Sequence, residues 1–254
     1  MATKTKATKT KATKKVTTKD LADNPIPRLA SCLVLDTSHS MKGNAINELN
    51  KGVAEYMRAI SEDEKTKEMV EIAIVTFGNS GFNPYNRIDP FKGVKKVLDF
   101  ASVEDQKPPT FSADGYTPMG EAVETALNML EERNQIYSET AGTHKYPWLV
   151  LMTDGYPYDY KSSMSEYGKY HGNSINDASS RSYELDKKGK LTVIPIALGD
   201  EAGAEILKKF SHTNNPVKIN NLNFEDFFRF LSQSQSDPDK GFIMGDSPDL
   251  EELF

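Results

Sequence analysis

Three short stretches of this sequence place oxygen-bearing side chains where the chain enters or leaves regular structure. LVLDTSHSMKG carries Asp36, Ser38 and Ser40 at alternate positions behind an apolar run. SADGYTPMGEAV supplies Thr117 just before a proline, and LMTDG supplies Asp154 at the exit of another apolar run. An ordinary turn needs one capping residue. Three spaced oxygens at one strand exit therefore indicate a further role.

Together the five residues offer two carboxylates and three hydroxyls. Hard oxygen ligands of this kind suit Mg²⁺, Mn²⁺ or Ca²⁺ and disfavour zinc. Each residue also has a simpler interpretation: Thr117 caps a helix, the two serines satisfy a loop, and Asp154 binds a backbone amide. Their joint placement at matching strand ends favours a metal site over these separate roles.

The surrounding pattern predicts alternating strands and helices. Continuous apolar runs, typical of strands buried on both faces, occur at LASCLVL, VEIAIVTFG, WLVLMTDG and LTVIPIALG. Apolar residues at helical spacing occur in NAINELNKGVAEYMRAI and over Met119–Tyr137. The more polar GVKKVLDFASV predicts an edge strand. The remaining predicted elements are a helix over Ser174–Lys188 ending at Gly189, short helices over Ala202–Phe210 and Phe224–Leu231, and a weak strand at Pro216–Ile219.

This alternation predicts an α/β protein with right-handed crossovers and helices on both faces of a doubly wound, mostly parallel, Rossmann-like sheet. In such sheets ligands bind outside the carboxyl ends of the strands. The oxygen-bearing stretches are expected at that edge.

The two ends of the chain differ from its middle. The first 19 residues contain seven lysines and no acid, so residues 1–27 are expected to be a disordered basic arm and linker. Subtracting these seven charges from the net charge of -6 leaves -13 on the rest. The arm is either a solvating tail or a contact for nucleic acid or an acidic partner. Residues 236–254 are predicted to be an acidic tail, which leaves 28–235 as the folded domain.

Several protein classes do not fit the composition. One cysteine excludes an internal disulfide framework. No apolar stretch reaches the roughly 18 residues of a membrane span, and the Lys/Thr-rich start contains no secretory signal. A cytoplasmic protein is the simplest interpretation, and the acidic body argues against a nucleic-acid-binding domain.

The motifs DTSHS, TPMG and TDG resemble those of the von Willebrand factor A domain, whose metal-ion-dependent adhesion site (MIDAS) uses a DxSxS element with a later Thr and Asp. The resemblance runs roughly from Arg28 to Ser232. Within the family, VEIAIVTFG, PPTFSADGYTPMGEAV and NFEDFFRFLS are most similar to bacterial tellurium-resistance (TerY-like) cytoplasmic members. The resemblance implies the family fold, with one antiparallel edge strand in the sheet.

The resemblance also implies a ligand set and a function. Ser38 and Ser40 are expected to bind a Mg²⁺ ion (or Mn²⁺ or Ca²⁺) directly and Asp36 through water, while Thr117 and Asp154 exchange direct and water-mediated contact. Such an ion accepts an Asp or Glu of a partner protein. For the tellurium-type members, the implied setting is a bacterial stress or phage-defence system, with a kinase- or phosphatase-like partner.

Two further segments are candidate interaction surfaces. The loop after Asp154 contains Tyr156, Tyr158 and Tyr160, whose rings either contact a partner or pack the loop onto the sheet edge. In the acidic tail, Glu251 or Glu252 offers a carboxylate for the metal site of another copy. Self-association or autoinhibition would follow.

An enzyme is the alternative. LVLDTS places Asp36 as in metal-dependent phosphatases of the aspartyl-phosphate type, but these generally carry a second Asp where this chain has Ser38. Neither a phosphate-binding GxxxxGK[ST] loop nor a GxGxxG dinucleotide fingerprint occurs. We therefore expect a binding module without catalytic residues, with the phosphatase as the competing hypothesis.

Overall fold

Strands and helices alternate along the chain in the computed structural model, which describes residues 26–78, 90–140, 143–155, 157, 175–198, 202–219 and 224–242. The strands are β1 (Leu29–Asp36), β2 (Val70–Phe77), β3 (Val94–Ser102), β4 (Trp148–Thr153), β5 (Thr192–Leu198) and β6 (Val217–Ile219). The helices are α1 (Asn44–Glu62), α2 (Glu64–Met69), α3 (Met119–Thr140), α4 (Ile175–Lys187), α5 (Ala202–Leu207) and α6 (Phe224–Ser236).

The strands form one sheet in the order β3-β2-β1-β4-β5-β6. β1 lies between β2 and β4 and runs parallel to both. β5 and β6 extend the parallel part, while β3 pairs antiparallel with β2 at the edge. The predicted α/β, Rossmann-like sheet with one antiparallel edge strand is confirmed.

Alternate residues of β1 enter two different cores, because successive side chains of a strand point to opposite faces. Leu33 and Leu35 pack in one cluster with residues of α1 and α6. Cys32 and Val34 pack in the other with residues of α3, α4 and α5. All of β1 is buried, which explains why its sequence is a continuous apolar run.

The helices follow the predicted pattern with small differences at their ends. The helix predicted over Met119–Tyr137 continues to Thr140, and the one predicted over Phe224–Leu231 continues to Ser236. At Gly189, φ is +64° and the backbone N–H donates to the carbonyl of Asp186, so this residue ends α4 as expected. No helix in the described part of the chain is long and apolar enough to cross a membrane.

The chain beyond α6 packs onto the domain as far as the structure describes it. A short 3₁₀ turn spans Pro238–Lys240, and Phe242 is buried with its ring edge-on to Trp148. The Lys145 ammonium contacts the carboxylate of Asp239 at 2.5 and 2.7 Å. The first seven residues of the predicted tail are therefore described, and the Lys145–Asp239 pair and Phe242 anchor them to the domain. Residues 1–25 and 243–254 lie outside the described residues, so the predicted domain limits stay predictions.

Candidate metal centre

The oxygen-bearing residues meet at the carboxyl ends of two neighbouring parallel strands. Asp36 is the last residue of β1, and Asp154 directly follows the last residue of β4. These strands pair in register from Ser31 with Trp148 to Leu35 with Met152, so their ends lie side by side. The chain topology thus brings Asp36 and Asp154 to one place although they are 118 positions apart.

Asp36 is fully buried, and both of its carboxylate oxygens accept hydrogen bonds. Oδ1 accepts from the backbone N–H of Ser38 at 2.8 Å, and Oδ2 accepts from the hydroxyl of Thr153 at 2.6 Å. Burial raises the pKa of Asp36 to about 6, against the opposing effect of these hydrogen bonds. A nearby cation would favour the charged carboxylate and would oppose this rise.

A chain of hydroxyl contacts leads from Ser38 to the second strand. The Oγ atoms of Ser38 and Ser40 are 3.0 Å apart, and the Ser40 hydroxyl donates to Oδ1 of Asp154 at 2.8 Å. Burial raises the pKa of Asp154 also, and the Ser40 hydrogen bond opposes that rise. Ser38 is buried, whereas Ser40 is exposed, so the chain of oxygens opens to the solvent at Ser40.

These spacings fit the ligand shell of a hard cation. Neighbouring ligands of an octahedral Mg²⁺ with bonds of about 2.1 Å lie about 3.0 Å from each other. The distances of 3.0 and 2.8 Å along Ser38, Ser40 and Asp154 have that size. Within the described residues, no cluster contains three or more His, Cys, Asp or Glu side chains that could hold a metal. Any ion here would depend on the carboxylates of Asp36 and Asp154, on the three hydroxyls and on water.

Thr117 joins the same site through the loop that precedes α3. It lines an open pocket of about 440 Å³ together with Ser38 and Ser40. Two backbone hydrogen bonds hold this loop against the DTSHS segment: His39 N–H donates to Gly115 O at 3.1 Å, and Asp114 N–H donates to Thr37 O at 2.9 Å. The structure therefore brings together all five residues that the sequence predicted, four through hydrogen bonds and Thr117 through the shared pocket.

Three supporting residues were missed by the sequence interpretation. Thr153 donates to Asp36, while the hydroxyl and the N–H of Thr37 both reach the carbonyl of Phe77 at 2.8 Å. Gly78 follows β2 with a φ of +109° and lies directly against the backbone of Ser38. The available signals were a polar residue just before the TDG aspartate and a glycine closing an apolar strand. Neither signal specifies a partner.

We expect Gly78→Ala to lower stability and to disturb the site. A Cβ at this position would lie 2.5 Å from the Cα of Ser38 and closer still to its nitrogen. In addition, the φ of +109° at this position is strained for any residue with a side chain. Backbone strain of this kind costs about 1–3 kcal/mol of stability. The added Cβ can be accommodated only if Ser38, a candidate ligand, moves. Thermal melts with Mg²⁺ and with EDTA should show a lower melting temperature and a reduced metal response.

The matched control is Gly189→Ala. Gly189 also has a positive φ, but a Cβ added there would meet no atom within 4 Å. The residue ends α4 shortly before β5 begins, at the end of the sheet opposite the site. This variant should lose stability while keeping any metal response. A full metal response in Gly78→Ala would contradict the assigned role of the glycine.

The rim of the pocket carries residues suited to recognition. His39 and Ser40 are exposed, and the ring of Tyr116 is 37% exposed. Lys42 and Asp114 form an exposed ion pair across the rim at 3.6 Å. Tyr156, Tyr158 and Tyr160 lie outside the described residues, so their predicted partner contact stays a prediction. Tyr116 is the aromatic side chain that the structure places at the pocket.

Comparisons with known proteins agree with this fold. Residues 32–156, a range that contains all five site residues, match the sequence model of the von Willebrand factor type A domain. A comparison with curated proteins found no match. Among solved structures, the pilus adhesin SpaC from Lactobacillus rhamnosus GG is similar with a TM-score of 0.60 and 13% identity over 84% of this chain and 31% of the adhesin. This chain thus spans about a third of the adhesin's length.

Two further structures have the same fold. The vWF domain of the type V pili tip protein Mfa5 from Porphyromonas gingivalis has a TM-score of 0.57 and 13% identity, with 88% of this chain and 99% of that domain covered. A von Willebrand factor type A protein from Catenulispora acidiphila has a TM-score of 0.51 and 15% identity, over 83% of this chain and 43% of that protein. Residues 32–156 thus match the von Willebrand factor type A sequence model, and the chain shares the fold of these solved structures.

Proposed function

We propose that this domain is a metal-dependent protein-interaction module. An acidic side chain of a partner docks at a Mg²⁺-type ion held by Asp36, Ser38, Ser40, Thr117 and Asp154. Domains of this family commonly mediate protein–protein interaction or adhesion. The observation that carries the proposal is the chain of oxygens from Ser38 through Ser40 to Asp154, with ligand-like spacings and an open side at Ser40.

The charge distribution supports docking of a carboxylate. The two oxygens of Asp36 are already engaged by Ser38 N–H and Thr153, which suits contact with the ion through water. Asp154 is then the one site carboxylate near the open side. A divalent ion in this shell would keep much of its positive charge and would attract an incoming Asp or Glu. At a contact from which water is excluded, that attraction is stronger than in bulk solvent.

The rim would select among acidic partners. Tyr116 offers an aromatic ring and His39 an exposed imidazole, and both line the pocket. Aromatic side chains at interfaces supply contact area at low entropic cost. We propose that these two residues, with the loop containing Tyr156, Tyr158 and Tyr160, contact the residues that flank the partner's carboxylate.

The geometry around Asp36 favours a binding module over the competing phosphatase. A nucleophilic carboxylate needs an oxygen that reaches the substrate. Asp36 is fully buried, and each of its oxygens accepts a hydrogen bond from the protein. Release of phosphate from phosphomonoesters that is lost in Asp36→Asn would favour the enzyme instead.

The cellular setting is proposed from the sequence resemblance. The segments VEIAIVTFG and NFEDFFRFLS are similar to tellurium-resistance members, so we propose a cytoplasmic role in bacterial stress or phage defence. A kinase- or phosphatase-like partner fits that setting. Replacing the gene by an Asp154→Ala copy should then impair survival under tellurite or phage challenge as strongly as deleting it. Full survival of the Asp154→Ala strain alongside a sensitive deletion strain would contradict a role for the metal site in this system.

The docking mechanism predicts a strict requirement for a carboxylate. Two peptide libraries that differ only in Glu or Gln at one fixed position should be displayed to the immobilised full chain. In Mg²⁺ we expect the Glu library to be retained at least about tenfold better, which corresponds to roughly 1.4 kcal/mol. EDTA, Asp154→Ala and Thr117→Ala should each remove the difference.

The matched control is Asp99→Ala, which removes an exposed carboxylate on edge strand β3. It should leave the preference for Glu unchanged. Equal retention of both libraries, or a preference that survives EDTA, would exclude docking through a metal and would leave an interaction scaffold that needs no ion.

A further inference from the structure

A second cavity lies at the end of the sheet opposite the metal centre. It has a volume of about 470 Å³ and lies where β4 and β5 begin. Its lining is mixed: Trp148 and Leu191 present small edges of otherwise buried side chains, and Tyr146 is the most exposed large hydrophobic side chain of the described residues, at 61%. An exposed aromatic ring at a cavity is typical of a surface that another segment covers.

The chain itself leads into this cavity. Residues 237–242 form a strap beside the start of β4. The Lys145–Asp239 ion pair holds the strap, and Phe242 packs against Trp148, Phe227 and Phe230. Gly241 and Phe242 are both part of the cavity wall. The following residues, 243–254, thus leave the described structure at the cavity itself.

The charges at the opening complement those of the departing segment. Lys187, Lys188 and Lys190 are exposed around Gly189, which lines the cavity. Among them, Lys188 lies 3.5 Å from Glu184. The wall has two carboxylates of its own. Asp239 pairs with Lys145, and Asp186 accepts hydrogen bonds from Ser211 and from the N–H groups of His212 and Thr213. The segment IMGDSPDLEELF carries four acids and no basic residue.

The segment also has three apolar residues at helical spacing. Leu250, Leu253 and Phe254 stand at positions i, i+3 and i+4, so one helical turn places them on one face. Leu250 is eight residues beyond Phe242, a distance of up to about 26 Å for an extended chain. That reach allows Leu250 to return to the cavity wall, because the segment starts at Phe242 in that wall.

We propose that residues 243–254 fold back into this cavity of the same chain. Leu250, Leu253 and Phe254 cover Tyr146 and the wall formed by Trp148 and Leu191, and the acids of the segment face the lysines around Gly189. This intramolecular docking is independent of the metal centre. It assigns the acidic end of the chain to the opposite side of the domain from the site where a partner's carboxylate would bind.

The chain provides its own fluorescence probe for a test. Trp148 is the single tryptophan, and it lies in the cavity wall. The single cysteine, Cys32, is fully buried, and burial raises the pKa of its thiol, so it stays unreactive in the folded chain. A nitroxide quencher can therefore be attached to Ser247→Cys alone in the full chain, with the unlabelled Ser247→Cys chain as reference.

We expect the label to quench Trp148 in the native chain at any protein concentration and in EDTA. The combined change Leu250→Ala, Leu253→Ala and Phe254→Ala should remove most of the quenching. Lys187→Ala with Lys190→Ala should weaken it in low salt, while far-ultraviolet circular dichroism reports that each variant is folded.

Two results would overturn the proposal. Equal quenching in the native chain and the triple-alanine variant would mean that the apolar residues do not hold the segment. Quenching that grows with protein concentration and requires Mg²⁺ would instead place the tail at the metal centre of a second copy, through Glu251 or Glu252.

Discussion

Mg²⁺ at a hundredfold excess over its dissociation constant is expected to raise the free energy of unfolding by about 2.7 kcal/mol, because an ion that binds only the folded chain stabilises it by mass action. For a domain of this size, that corresponds to a rise in melting temperature of roughly 5–10 °C. Thermal melts with Mg²⁺ and with EDTA measure the shift directly.

Ser38→Ala is expected to abolish this shift. Ser38 is the most buried of the three hydroxyl-bearing site residues, and its Oγ lies 3.0 Å from that of Ser40. The substitution removes one proposed ligand but leaves the backbone N–H that bonds Asp36. The loop should therefore keep its path while metal affinity falls.

Ser61→Ala is the matched control. Its exposed hydroxyl donates to Arg58 O on helix α1, far along the chain from the strand ends. This variant should respond to Mg²⁺ as the unmodified chain does. Coincident melts with and without Mg²⁺ in the unmodified chain, or an undiminished shift in Ser38→Ala, would refute the metal assignment.

The second large effect is expected at a buried ion pair between β2 and α3. Glu71 is 1% exposed, and its Oε2 accepts from Arg133 Nε at 2.7 Å and from the hydroxyl of Tyr137. The guanidinium of Arg133 also lies 5.1 Å from the centre of the Tyr137 ring. Glu71→Ala would leave a largely buried cation without its carboxylate and a buried hydroxyl without its acceptor.

Loss of one partner of a buried pair costs about 3–5 kcal/mol, so Glu71→Ala is expected to lower the free energy of unfolding by that amount in urea melts. Glu62→Ala makes the same chemical change at a carboxylate that is 61% exposed and paired with Arg58. Exposed pairs contribute about 1 kcal/mol or less. Similar losses in both variants would mean that the Glu71 pair is not the stabilising contact described here.

The order of elements and the position of the candidate site followed from local patterns. Continuous apolar runs predicted β1, β2, β4 and β5 because a strand covered on both faces excludes polar residues along its whole length. Since the carboxyl ends of parallel strands share one edge, Asp36 and Asp154 were expected to meet there, and they do.

The Glu71 network was not foreseen for a physical reason. In the sequence, Glu71 is one acid inside an apolar run, and Arg133 and Tyr137 are polar positions on a helix 62 and 66 residues away. A charged residue in a strand does not reveal whether it faces solvent or a cation. That depends on how α3 crosses the sheet.

The sequence alone determined the six strands, five of the six helices in the described part of the chain, the α/β class and the five oxygen-bearing residues, because periodicity and strand exits are local properties. The short helix α2 was not predicted. The tertiary structure decided how the site is supported. Thr153 reaches Asp36 across 117 positions, and Gly78 makes room for the backbone of Ser38. It also decided that the strap ending in Phe242 packs against Trp148, at the end of the sheet opposite the candidate metal site. Contacts between distant residues depend on strand order and helix crossing, which no local pattern contains.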